Sequence, residues 1–444
     1  MRLMNNLYNI ILVYAMFIVS QACTSQQPET CKFSEQELTN APILIKDIQF
    51  EDENLKKAIL ENAVEYNYEK ISDVNYLFLH DKNIKTAKEL AYFTNLEDLE
   101  ISQNQLVCLD VSNNKELTSL RASNNQLTNL DLSNLKNLKK LEATFNQLTQ
   151  IDISQNTELT LIDIQSNVLE ELDVSKNTKL KSLTLFRNKI SVLDVTKNKK
   201  LKWLSIGFNK ISEIDISANK LLENFGVRDN QLEKIDFSNC TLLKTINVGY
   251  NKLKTSNVTK LLKLETLDIS HNQIPAINIT NNTELRYLTI ENNKIKKLDV
   301  NKHINLEEIL ANDNQLMNLS TLNNPKLERL ELDNNQLKNI DVSNNLALNY
   351  LSLDNNHITK LDISKNNKLK YIMARTNGMT TIKLADSMNI SLIGLEKNKL
   401  TELYIPKNTV FEKLWITSNP LTKQTLKNLN LIKTKNPNCV ILIE

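Results

Sequence analysis

The stretch Leu180–Asn209, LKSLTLFRNKISVLDVTKNKKLKWLSIGFN, decides how this chain folds. It contains two asparagines, Asn188 and Asn209, 21 residues apart. Around Asn188 the apolar residues are Leu180, Leu183, Leu185, Ile190 and Leu193. Leu183-x-Leu185 alternates with period two, which turns two side chains to one side of a short strand. The same register recurs around Asn335, with Leu327, Leu330, Leu332, Leu337 and Ile340. Outward from the quoted stretch, the 21-residue spacing runs through Asn104, Asn125, Asn146, Asn167, Asn188, Asn209, Asn230, Asn251, Asn272, Asn293, Asn314, Asn335, Asn356, Asn377, Asn398 and Asn419. Those 16 positions follow one another without insertion or substitution.

A repeat of this length is one turn of a coil. No single coil can bury its apolar face, but stacked coils share a continuous core. Where the chain turns inward, its backbone groups need partners. An asparagine amide both donates and accepts, so it can serve the backbone on both sides of the turn, whereas aspartate only accepts. Leaving such a group unpaired costs about 1–3 kcal/mol, which explains a strict column of asparagines. A weaker half-repeat follows each of them, as in Leu109-Asp110-Val111-Ser112 and Ile214-Asp215-Ile216-Ser217. A second asparagine often stands ten residues after the first, at Asn114, Asn156, Asn177, Asn198, Asn219 and Asn345.

The pattern LxxLxLxxNxLxxL, over about residues 77–421, resembles the leucine-rich-repeat family, and in particular bacterial 21-residue repeats with two similar halves. The fold expected is a leucine-rich-repeat solenoid, mostly parallel β, with two short ladders per coil and little helix outside the ends. Residues 51–64 place Leu55, Ala58, Ile59 and Ala63 at helical spacing behind acidic residues, which predicts a short amphipathic helix over the first coil; this resembles an internalin-like cap. Leu77, Leu79 and Ile84 form a degenerate first coil with Lys82 at the ladder position. Leu421–Ile432 is expected to be helical and Val440–Ile443 a closing strand.

Residues 1–22 read as an export signal: Arg2, then an apolar stretch from Leu7 to Val19 too short to span a bilayer. Ala22-Cys23 resembles the end of a bacterial lipoprotein signal, which implies lipidation of Cys23 and anchoring to the cell envelope at the outer membrane or cell surface, with secretion as the alternative. The organisation expected is a signal peptide over 1–22, a lipidated cysteine and linker over 23–46, and an N-terminal cap over 47–76. An array of about 17 coils over 77–421 and a C-terminal cap over 422–444 follow. The five cysteines, Cys23, Cys31, Cys108, Cys240 and Cys439, have no disulfide-framework or zinc spacing. Cys240 falls where other coils carry the second asparagine, which predicts a small buried side chain.

Net charge of +2 argues against nucleic acid as a partner. His80, His271, His303 and His357 are far apart and occupy different places in the coil, and the five glycines form no phosphate-cradling loop. Unbroken repeat length leaves no inserted loop to carry a catalytic site. No cofactor, no metal and no enzymatic activity are expected. The stacked Asp110, Asp131, Asp152, Asp173, Asp194, Asp215 and Asp236 read as caps of backbone turns, with a weak cation ladder as the alternative.

Leucine-rich repeats generally bind on the strand face, whose outward positions lie six, four and two residues before the ladder asparagine, with a rim position just before it. Trp203 and Trp415 fall there, as do Phe186, Tyr287, Leu310, Tyr350, Tyr371 and Met373, with Phe145, Phe208 and Tyr250 on the rim. Aromatic residues and arginine on a rigid surface are the usual anchors of interfaces. Phe186, Arg187, Trp203, Phe208, Arg228 and Tyr250 lie on four consecutive coils and form the first candidate patch. A second zone, with Tyr287, Glu291, Glu308, Arg329, Glu331, Asp333, Tyr350 and Asp354, is acidic. The function expected is a lipoprotein that binds a protein or glycan along this face, an adhesin or surface recognition protein. The alternatives are an envelope spacer and a hydrolase hosted on the solenoid.

Overall fold

The computed structural model describes residues 42–435 and 439–443, so the export segment, Cys23 and Cys31 lie outside the described residues. Each repeat contributes a short strand, and 18 strands join in one sheet. All its pairings are parallel and follow chain order: Ser182 faces Trp203, Leu183 faces Leu204 and Thr184 faces Ser205. Because partners are 21 residues apart in every pairing but the two at the ends, any position in the repeat becomes a column up the molecule. The leucine columns are sealed inside, with Leu183, Leu185, Ile190, Leu204 and Ile206 at most 1 % exposed.

The ladder asparagines tie each coil to the one before it. Asn293 donates through Nδ2 to the carbonyl oxygen of Ile269 in the preceding coil at 2.9 Å and to that of Ile290 in its own at 3.1 Å. Its Oδ1 accepts from the Ile274 N–H at 3.0 Å. The residue before each ladder asparagine, from Gln103 to Ser418, has φ between 51° and 59°, and none is glycine. A left-handed conformation costs an L-residue roughly 1–2 kcal/mol. The asparagine bonds formed just beyond it offset that strain.

The back of each coil is extended, but the two ladders are built differently. Among the described residues, regular second-ladder strands occur only at Lys360–Asp362 with Thr381–Lys383, and a single bridge joins Asn257 and Asn278. In most of the remaining coils this side is tied by side chains. Asn177 is fully buried and donates to the carbonyl oxygens of Ile153 and Asn156 at 3.0 and 2.9 Å. Cys240, fully buried in the same column, points Sγ at the carbonyl oxygens of Ile216 and Asn219, at 3.3 and 3.6 Å. His303 occupies the column as well, with Nε2 3.0 Å from the Ile279 oxygen. The aspartates close turns: Asp194 accepts from the Thr196 N–H and Asp215 from the Ser217 N–H, each at 2.8 Å. Asn257 and Asn278 do the same for Thr259 and Thr280, so a negative charge is not what the position requires.

At the N-terminal end, helix α1 (Glu53–Glu65) buries Leu55, Ala58, Ile59 and Asn62. Its cap, Asp52, accepts from the N–H groups of Asn54 and Leu55. Asn62 seals the first strand, donating to the Phe78 oxygen at 2.9 Å and accepting from the Phe78 N–H at 2.7 Å. The exposed edge of the sheet is thereby covered rather than left open to pairing. At the other end lies helix α2 (Lys423–Lys435), and strand Val440–Leu442 pairs with Lys413–Trp415.

Candidate functional site

The quoted stretch carries a recess on the strand face. Its volume is about 190 Å³, and it is lined by Phe186, Trp203, Ser205, Gly207, Gly226 and Arg228 among others. The walls are aromatic and the floor is made of small residues. Gly207 is needed for close approach: a Cβ there would lie 3.0 Å from the Phe186 ring and 3.0 Å from the Arg228 carbonyl oxygen. At Gly226 a Cβ would meet only the Ser205 hydroxyl, 4.0 Å away, so that glycine simply leaves the floor low.

The aromatic residues around it are braced. The Phe186 and Phe208 rings meet edge to face at 4.9 Å, and the Arg187 guanidinium lies 5.7 and 5.3 Å from their centroids. Arg228 lies 4.4 Å from the Tyr250 centroid, and Asp268 holds it at 3.3 Å. Tyr250 stacks on His271 at 3.7 Å. Burial, then the nearby Arg228 charge, holds the His271 pKa below its usual value. Trp203 is 47 % exposed, a large ring left open to solvent on a rigid sheet.

The structure therefore brings together Phe186, Arg187, Trp203, Phe208, Arg228 and Tyr250. It adds His271, whose rim position was visible in the sequence but was weighed there only for catalysis. It also adds Gly207 and Gly226. The signal for these was present too, since three of the five glycines, Gly207, Gly226 and Gly249, fall on outward strand positions of consecutive coils in this patch, and the first two line the recess. Trp415 is not part of the site: its coil lies ten repeats from that of Trp203, and its strand packs against the closing strand at Leu442.

The second zone is bonded to itself. Arg329 lies 4.2 Å from the Tyr350 centroid and pairs with Glu331 and Glu308. Tyr350 meets Tyr371 at 5.6 Å, and Arg375 clasps Asp354 through Nε at 2.8 Å. Asn312 donates to both Glu291 and Glu331, at 2.7 and 2.8 Å. Tyr287 donates to Glu307 at 2.8 Å. Among the described residues no group of three or more His, Cys, Asp or Glu side chains is placed to hold a metal.

Two strand-face carboxyls make stability pH-dependent. Burial, with Asp354 and Glu331 nearby, pushes Asp333 up to about 6; burial, with Glu142 nearby, does the same to Asp163. A carboxyl raised on folding opposes the folded state while ionised. That penalty is present at neutral pH and is relieved as pH falls through about 6 toward the unfolded value of about 4. Asp173, Asp194 and Asp341 have the opposite sign, because their turn hydrogen bonds hold them below the ordinary value. Their contribution is complete above about 4 and is lost below it. The melting midpoint should therefore rise from pH 7 to about pH 5 and then fall. Asp333→Asn should stabilise the chain at pH 7 by about 1 kcal/mol and flatten the rise. A wild-type midpoint that only declines from pH 7 downward would reject this assignment.

The strand columns, buried leucines and asparagine ladders define a leucine-rich-repeat solenoid. A scan against protein-family models finds no match, and neither does a search of curated proteins. Among solved structures, the functional domain of InlJ from Listeria monocytogenes, described as including a cysteine ladder, is 31% identical, covers 79% of this chain and 83% of its own, and superposes with a TM-score of 0.66. The internalin InlF of Listeria monocytogenes strain 4b F2365 is 25% identical over 75% of this chain and 98% of its own, with a TM-score of 0.62. The plant peptide hormone receptor RGFR1, in complex with RGF2, shares the fold alone, at 20% identity over 81% of this chain and 76% of its own, TM-score 0.62. This chain belongs to the internalin-like bacterial leucine-rich-repeat proteins.

Proposed function

We propose that this chain is an exported surface recognition protein that binds a protein partner along its strand face, tethered to the cell envelope by lipid on Cys23 and acting as an adhesin or receptor. The observation that carries the reading is the recess walled by Phe186 and Trp203, set on a rigid sheet beside Arg187, Phe208 and Tyr250. Rigid aromatic anchors around a pocket are what interface hot spots consist of, because little entropy remains to be lost on binding. The solved neighbours support binding of protein ligands in general: RGFR1, on the same fold, is found in complex with RGF2. Export is supported by Cys108, which is disulfide-bonded, since disulfides persist mainly in oxidising compartments.

One experiment tests both halves. Cells carrying the wild-type chain, Trp203→Ala/Phe208→Ala or Cys23→Ser are fractionated and assayed for partner capture. The double variant should lose roughly tenfold or more in capture while melting within a few degrees of wild type. Cys23→Ser should leave the envelope fraction. Unchanged capture by a folded double variant would make the chain a spacer, and unchanged fractionation of Cys23→Ser would remove the lipid anchor.

A further inference from the structure

The described residues include six arginines, and five are held by carboxylates. Arg121 is held by Asp98 and Glu100, Arg228 by Asp268, Arg286 by Glu307, Arg329 by Glu331, and Arg375 by Asp354. Arg187 is the exception. Among the described residues it has no ion pair, and its guanidinium is held instead against the Phe186 and Phe208 rings. No carboxylate stands at the outward strand positions of its own coil or the next, which read Ser182, Thr184, Phe186 and Trp203, Ser205, Gly207. Lys181, just before the strand, is exposed and adds a second positive charge.

Resting on the proposed recognition role, we infer that the partner segment is acidic and apolar together: one bulky apolar side chain enters the recess while a neighbouring carboxylate binds Arg187. The lining decides the first half. Phe186 and Trp203 contribute ring carbon, and the glycine floor leaves room for a side chain of leucine to phenylalanine size. Charge complementarity decides the second half. A guanidinium stacked on rings keeps its planar edge free and loses little freedom on pairing, and a carboxylate fits that edge in a bidentate manner. The other strand-face arginines show the same chemistry already satisfied within the chain; Arg329, for example, lies over Tyr350 with Glu331 on its edge.

The test is selection from a displayed library of random 12-residue peptides on the full chain. Enriched peptides should place Leu, Met, Phe or Trp within a few residues of Asp or Glu. Binding of the best synthetic peptide should fall roughly tenfold or more with Arg187→Glu. Changing the peptide's acid to lysine should recover part of that loss. Enrichment of basic or uncharged peptides that still require Trp203 would overturn the acidic partner and leave the recognition surface standing. Peptides indifferent to both Arg187→Glu and Trp203→Ala would overturn both readings. So would a neutral oligosaccharide that binds in their place and is lost in Trp203→Ala, since it would make the partner a glycan.

Discussion

Asn293→Ala should cost about 3 kcal/mol or more, while Asn177→Cys, in the second column, should cost under about 1 kcal/mol. Both asparagines are buried and both belong to columns repeated along the solenoid, but the first column is unbroken and the second is not. Their hydrogen bonds explain the difference. Asn293 uses both ends of its amide, with Nδ2 on the oxygens of Ile269, Ile290 and Glu291 and Oδ1 on the Ile274 N–H. Removing it strands a buried donor in the neighbouring coil. It also removes the bonds that offset the left-handed backbone at Asn292. An unsatisfied buried donor accounts for about 1–3 kcal/mol, and the lost bonds and strain add to it.

Asn177 uses one end only. Its Nδ2 is bonded, but its Oδ1 has no partner, and the same holds for Asn114, Asn156, Asn198, Asn219, Asn282, Asn324 and Asn366. This column therefore tolerates an idle acceptor, and at Leu135 and Leu261 it carries no side-chain donor at all. Two other substitutions in the column, Cys240 and His303, keep a donor aimed at the matching carbonyl oxygens. A cysteine at 177 keeps one donor contact and removes the idle oxygen, so the two changes oppose one another. Chemical denaturation of the two variants against wild type measures the contrast. Equal losses, or a larger one at Asn177, would show that the columns are alike in their demands.

Most of the fold was legible because a fixed repeat length turns sequence position into spatial position. The leucine columns, Asn188 and its series, and the buried Cys240 all follow from that one regularity. Two things did not. The breaks at Leu135, Cys240, Leu261 and His303 mark the second asparagine column as the more tolerant, but the cause, which amide end finds a partner, is not carried by the residue name. The recess was half legible. Trp203 and Phe186 announce themselves as large rings on an outward column, but a cavity also depends on what is missing between them. Gly207 and Gly226 are informative only once their columns are known to face outward and to adjoin. Neighbour relations across coils decide the rest: Arg187 stands on the rim and Arg228 two residues before its ladder asparagine, but only the structure shows that Arg228 is held by Asp268, two coils on.

Gly226→Trp should abolish partner binding, by a hundredfold or more, without loosening the fold. The position is suited to it because the glycine is there for space and not for backbone conformation. No left-handed φ is found at any glycine of the chain, and a Cβ at 226 meets nothing closer than 4.0 Å. Its strand neighbours Ser205 and Asn247 lie directly across in the two adjoining coils, so main-chain pairing is undisturbed. An indole projecting from this column fills the recess between Trp203 and Arg228 that the anchor side chain would occupy. Excluding one buried anchor from an interface typically costs 2–4 kcal/mol, which sets the scale of about a hundredfold. Gly207→Ala makes the complementary control. There the new Cβ collides with the Phe186 ring and the Arg228 backbone, so binding and stability should fall together. Isothermal titration with any ligand shown to need Trp203, alongside thermal melts of both variants, separates the cases. If Gly226→Trp melts as wild type and still binds with unchanged affinity, the recess is not where the partner's anchor is held.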